Sequence, residues 1–122
     1  MSRQSRLDRS LLCTGFSYEW KRKLANLKPW GAFIRRAQAV RRLGSAALDL
    51  CFTAAGVFDG FWEMNLGPWD IAAAVVVCRE AGVRVTDLRG RPLDLATGDV
   101  LAANPGLHAK MLRVLSTEGG LR

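Results

Sequence analysis

Apolar and polar positions along this chain follow two different periods. Short runs rich in β-branched and aromatic residues, at Leu11–Phe16, Val57–Glu63, Val83–Asp87 and Val100–Ala103, read as strands, with Gly60 a gentle break in the second. Longer stretches between them carry apolar residues at helical spacing. Leu24 to Gln38 holds Leu24, Leu27, Phe33, Ile34 and Ala37 on that spacing, and Pro29 and Gly31 predict an interruption. Ala46–Ala55 is a cleaner helix, because Ser45 is a good N-cap and Gly56 supplies a left-handed stop. Pro68 opens a helix that runs to about Ala81 and stops at Gly82, and Pro105 opens a last one through Leu115. The segment LRGRPLD is a turn, and Asp87 and Asp94 beside it need only turn chemistry to explain them. Strands alternating with helices predict an α/β layered architecture, in which ligands gather where strands end and helices begin.

Two such places carry candidate chemistry. At Gly44, Ser45 and Ala46 the first amides of a helix have no partner of their own, so they can bond a hydroxyl or a phosphate oxygen. An ordinary capped helix explains the same residues. The second place is GFWEMNLGPWD, residues 60–70. Glu63 ends the strand-like run there, and Pro68 sets Asp70 in the first helical turn, where a carboxylate faces a positive helix end and can hold a cation. First-turn acids are also common for their dipole alone. Trp69 is expected to pack in the core beneath Asp70. The sole histidine, His108, has no cysteine at ligand spacing and is expected on the surface of the last helix, as are Lys110 and Arg113.

Charge changes the picture only locally. The formal net charge is +7, but residues 1–42 hold eleven Lys or Arg against two acids, and residues 43–122 hold seven against nine. A solvated basic face explains this excess, and the absence of an aromatic-interleaved module argues against nucleic acid as the partner. Cys13, Cys51 and Cys78 are odd in number, widely spaced and set in apolar stretches, which predicts free buried thiols rather than disulfides or a zinc site. The apolar run Ile71–Cys78 is too short to span a bilayer, and MSRQSRLDRS lacks the apolar core of a secretory signal. The expected location is the cytoplasm, with no membrane partner.

RRLGSAALDLCFTAAGVFDGFWE, PWDIAAAVVVCREAGVRVTD and VLAANPGLH, with LLCTGFSY upstream, occur in a telling order and spacing. Together they resemble the C-terminal half of the inositol monophosphatase family, metal-dependent phosphomonoesterases. The resemblance implies the C-terminal half of that layered α/β sugar-phosphatase fold over residues 11–122, with residues 1–10 as a basic N-terminal extension. It implies that Asp70, in the matching WD motif, ligates a catalytic Mg²⁺. Gly44, Ser45 and Ala46 would line the substrate pocket, and Glu63 would orient a polyol such as that of inositol monophosphate. The metals of such an enzyme activate a water and stabilise the leaving alkoxide.

The pattern also departs from the family. Its N-terminal half supplies an acidic pair and a D-P-[IL]-D-G-T segment, and neither occurs here; FDGFWE lacks the first acid and the threonine. Ala74 and Val83 stand where the family usually has glycine. One aspartate cannot fix Mg²⁺ in catalytic geometry. The chain is therefore expected to be inactive alone, as a fragment of a longer enzyme. The alternatives are a non-catalytic module that pairs with a separate N-terminal half or with its own copy, and a basic binding protein for RNA or acidic surfaces. Relatives with similar motifs act on several phosphorylated substrates, so the motifs leave the substrate open.

Overall fold

The computed structural model describes residues 1–119. Five strands, β1 (Leu11–Thr14), β2 (Ala39–Arg41), β3 (Gly60–Glu63), β4 (Arg84–Thr86) and β5 (Val100–Ala103), form one sheet in the order β2-β1-β3-β5-β4. The helices are α1 (Trp20–Leu24), α2 (Leu27–Ile34), α3 (Ala46–Ala55), α4 (Pro68–Glu80) and α5 (Pro105–Thr117). β1 runs parallel to both β2 and β3, while β5 is antiparallel to β3 and β4. This is an α/β architecture with a mixed sheet.

Neighbouring residues on a strand face opposite layers, and both layers are covered. Cys13, Phe61 and Ala102 pack with Leu50, Ile71, Val75 and Cys78 of α3 and α4. Leu12, Trp62, Leu101 and Ala103 pack on the other side with Phe33 of α2 and Leu107, Met111 and Leu115 of α5. All four residues of β3 and of β5 are buried as a result. No helix among the described residues is long and apolar enough to cross a membrane.

Most element boundaries follow the local signals. The Ser45 hydroxyl accepts the Leu48 N–H, and Gly56, at φ 84°, closes α3. The first departure concerns the expected break at Pro29 and Gly31, which both lie inside α2; the chain breaks earlier, at Ala25–Asn26. Pro29 is third in its helix, where a missing N–H costs no helical bond. Asn26 is drawn into the core: its Nδ2 donates to Thr14 Oγ1 (3.0 Å) and Gly15 O (2.8 Å), and Trp62 Nε1 donates to its Oδ1 (2.6 Å).

A second departure is β2, absent from the sequence reading because three residues with one aliphatic show no periodicity. A third is Val57–Asp59, which stays outside β3, since Val57 and Phe58 donate their amides to Phe52 O at the end of α3. Residues 1–10 run against the domain: the Ser2 hydroxyl donates to Asp59, and the Asn104 amide donates to Ser2 O and Gln4 O.

His108 is not on the surface. It is 2% exposed, and its Nε2 lies 2.7 Å from Thr86 Oγ1. Burial, then the charge of Arg84, lowers its pKa to about 4, so the ring is neutral near pH 7. The helix face that carries it packs on β4 and β5, which a lone histidine in an amphipathic pattern does not announce. Cys13 and Cys78 are buried and Cys51 half-buried, all free.

Asn26→Ala strips the buried Trp62 N–H of its acceptor and leaves Gly15 O without its donor. We expect a loss of about 2–3 kcal/mol, read as a lower urea midpoint at unchanged slope. A loss within error would show that the network is dispensable.

Candidate functional site

The carboxyl ends of β1 and β3 and the N-termini of α3 and α4 meet at an open cleft of about 400 Å³. Parallel pairing of β1 with β3 sets their ends side by side, and each following segment leads toward a helix start. Gly44, Ser45, Ala46, Glu63 and Asp70 all line this cleft.

At α3, Gly44 adopts φ 97°, a left-handed turn that delivers Ser45 as the cap. Ser45 satisfies the Leu48 amide, which leaves the Ala46 and Ala47 N–H groups as the unpaired donors of the first turn. At α4, Asp70 and Gly67 bond reciprocally: the Asp70 N–H donates to Gly67 O (2.9 Å) and its Oδ2 accepts from Gly67 N (3.0 Å). One carboxylate oxygen of Asp70 is thus engaged in capping.

Trp69, expected beneath Asp70 in the core, is instead 86% exposed. It stands beside Pro68 at the very start of α4, and its indole covers Gly67, where an added Cβ would lie 2.5 Å from the ring. The buried positions of that helix begin only at Ile71.

Glu63 is 9% exposed. Burial, reinforced by the charge of Asp49 and to a smaller extent of Asp70, and opposed by Arg42, raises its pKa to about 7. Its carboxyl folds back over the end of β1: a Cβ on Gly15 would lie 2.6 Å from the Glu63 carboxyl carbon. Only glycine leaves that room.

A family model for the inositol monophosphatase family matches residues 1–119. The chain belongs to this family. It is 44% identical over 117 residues to the inositol-1-monophosphatase of Synechocystis sp., covering 95% of this chain and 41% of that protein. It is also 44% identical over 120 residues to the putative Nus factor SuhB of Neisseria meningitidis serogroup B, covering 95% and 45%. A solved structure, the inositol monophosphatase from Anabaena (Nostoc) sp., superposes with a TM-score of 0.90 at 42% identity, over 96% of this chain and 47% of that one. The chain thus spans under half the length of these relatives.

Within this inositol monophosphatase-family fold, two cleft residues, Arg42 and Gly15, and one buried acid of α3, Asp49, carried no site signal in the sequence. Arg42 arches over the rim, its Nη2 donating to Phe16 O at 3.3 Å and its guanidinium 5.6 Å from the Tyr18 ring centroid. Gly15 gave no signal beyond an ordinary turn. Asp49, in the first turn of α3, is 1% exposed and neither side-chain oxygen has a hydrogen-bond partner.

Asp70 and Glu63 offer hard oxygen donors of the type Mg²⁺ takes. Among the described residues, however, no three Asp, Glu, His or Cys side chains converge closely enough to hold a metal ion. The residues present therefore do not fit a complete Mg²⁺ centre.

The raised pKa of Glu63 has a signed consequence for stability. Between the ordinary glutamate value of 4.5 and about 7 the folded state holds a proton that the unfolded state has released, so this contribution to stability falls as pH rises through that window. His108 acts in the opposite sense, and comparison with a variant cancels it. Glu63→Gln should melt close to the wild type at pH 5 and above it at pH 8. Parallel melting curves across that range would refute the buried, proton-holding Glu63.

Proposed function

We propose that this chain forms one wall of a Mg²⁺-dependent phosphomonoesterase site that hydrolyses a phosphorylated polyol such as inositol monophosphate. The observation that carries the reading is the convergence on one cleft of the Asp70 and Glu63 carboxylates with the first-turn amides of α3. Mg²⁺ bound there would supply an activated water and charge for the leaving oxygen. Asp70 is the residue of this chain that would give it a ligand. The α3 amides are hydrogen-bond donors for a hydroxyl or phosphate oxygen, and Glu63 bonds and orients the polyol. The further carboxylates come from a segment outside this chain, so the chain by itself does not turn over substrate.

Surface features support a partner of that kind. Trp20, Leu24, Leu27 and Ile34 are 70%, 45%, 53% and 42% exposed, an apolar face suited to another part of a larger fold. The names of the relatives divide between a phosphatase and a Nus factor, and the cleft favours the first. Three free cysteines fit a reducing compartment such as the cytoplasm.

The purified chain should release no phosphate from inositol 1-phosphate with Mg²⁺. A fusion that joins the preceding half of the Synechocystis relative to this chain should do so. Asp70→Asn in the fusion should lower kcat/KM at least ~100-fold, or ~2.7 kcal/mol. A fusion that folds but stays inactive would sink the phosphatase reading. Asp70-dependent turnover by the isolated chain would sink its incompleteness.

A further inference from the structure

A second groove, of about 370 Å³, opens beside the cleft and shares Phe16, Tyr18 and Arg42 with it. Leu24 and Leu27 complete its apolar lining, and Lys23 and Arg42 bring two positive charges. Ser17, the other lining residue, already uses its hydroxyl to accept the Glu19 N–H (3.1 Å). Among the described residues no acid lines this groove.

Local chemistry builds it. The helix break at Ala25–Asn26 leaves Leu24 at the end of α1 and Leu27 at the start of α2. Asn26, between them, is held in the core, and its Nδ2 donates to Gly15 O (2.8 Å), so both leucines are fixed beside the segment that follows β1. That segment is gripped from a second side, where Arg42 Nη2 donates to Phe16 O (3.3 Å). The groove is therefore preformed. Both leucines stay exposed in it, and the Tyr18 ring is 88% exposed.

The lining selects a ligand. Small-molecule sites enclose about 300–1,000 Å³ between mostly apolar walls with a few placed polar groups, and this groove has that form. Phe16 and Tyr18 offer ring surfaces, which gain from an aromatic partner beyond the area buried. The cations favour an electron-rich ring and an anion: the Arg42 guanidinium lies 5.6 Å from the Tyr18 ring centroid, and Lys23 Nζ lies 5.7 Å from that of Trp20. Arg42 stands at the junction of groove and cleft, so one guanidinium serves an anion on one side and a ring on the other. A bare polyol phosphate has no apolar group to place there.

We propose that the groove is an aromatic subsite of the cleft: it takes a flat aromatic group on the alcohol part of a phosphomonoester whose phosphate lies in the cleft. This deepens the phosphomonoesterase reading and rests on it for the phosphate end of the ligand. Of the exposed apolar face of α1 and α2, Leu24 and Leu27 line the groove, while Trp20 and Ile34 do not. A polypeptide laid on that face therefore leaves the subsite open unless it inserts a side chain, and the experiment separates the two occupants.

The first measurement is methyl NMR of the whole 122-residue chain, titrated with 1-naphthyl phosphate in Mg²⁺-free buffer. The Leu24 and Leu27 methyls should shift saturably. Leu27→Asp should raise Kd at least ~tenfold, and Leu95→Asp, on an exposed turn, should leave it unchanged. Should Leu27→Asp fail to fold, Tyr18→Leu reads the same loss at an exposed position. Leucine methyls that do not move would overturn the subsite, and cyclohexyl phosphate binding as tightly would overturn its aromatic preference. The second measurement uses the fusion with the preceding half of the Synechocystis relative. There, Leu27→Asp should lower the ratio of kcat/KM for 1-naphthyl phosphate over inositol 1-phosphate at least ~tenfold. An unchanged ratio in an active fusion would overturn the proposal, because the added half then fills the groove. A fusion inactive toward both substrates sinks the phosphatase reading alone, and the titration of the isolated chain still decides the groove.

Discussion

The indole N–H of Trp62 must find an acceptor inside the sheet's α2–α5 layer, and much of the architecture depends on how it does so. Asn26 supplies the oxygen, and its amide nitrogen is spent on Thr14 and Gly15 at the end of β1. One side chain thus ties the start of α2 to two adjacent strands at the level of the cleft. Thr14 closes the circuit by donating to Trp62 O (2.5 Å). A buried network in which every member is satisfied fixes geometry more firmly than apolar packing alone. Here it fixes Gly15, over which Glu63 lies.

On the opposite face of the same strand ends, the electrostatics are unsettled rather than closed. Three acids, Asp49, Glu63 and Asp70, belong to the α3–α4 side, and the nearby cation, Arg42, sits at the solvent rim. Two helix N-termini point their positive ends at the same place. The chain spends stability on a concentration of negative charge that its own residues do not neutralise. In the proposed site, a cation or hydrogen-bond donor bound at the cleft would relieve that charge.

The sequence made the frame legible where chemistry is local. Ser45 with Gly56, Pro68 with Gly82, and Pro105 each carry a start or stop signal that works through one backbone bond. The cleft residues Gly44, Ser45, Ala46, Glu63 and Asp70 stood out locally only as helix starts and a strand end in an α/β order, and the family resemblance marked them as site candidates. What escaped depends on contacts distant in sequence. Asn26 breaks the helix because of Trp62, thirty-six positions away. His108 is buried because α5 packs on β4 and β5, and Trp69 is exposed because the buried face of α4 begins only at Ile71. Asp49 is buried without a side-chain partner, which a first-turn acid does not announce in sequence.

The beginning of the chain is placed with equal definition. The carbonyl carbon of Met1 and the amide of Ser2 lie within 3.4 Å of where Gly56 would carry a Cβ, and the Met1 methyl is 3.6 Å from the same point on Gly82. Those two glycines follow the C-terminal ends of α3 and α4, so Met1 sits at the pole of the α3–α4 layer opposite the cleft. α3 is ten residues long, about 15 Å of axial rise. Any polypeptide joined ahead of Met1 must cross that distance, roughly five extended residues, before it can place a side chain beside Asp70. The reach of the preceding linker, as much as its chemistry, decides whether such a segment can complete the cleft.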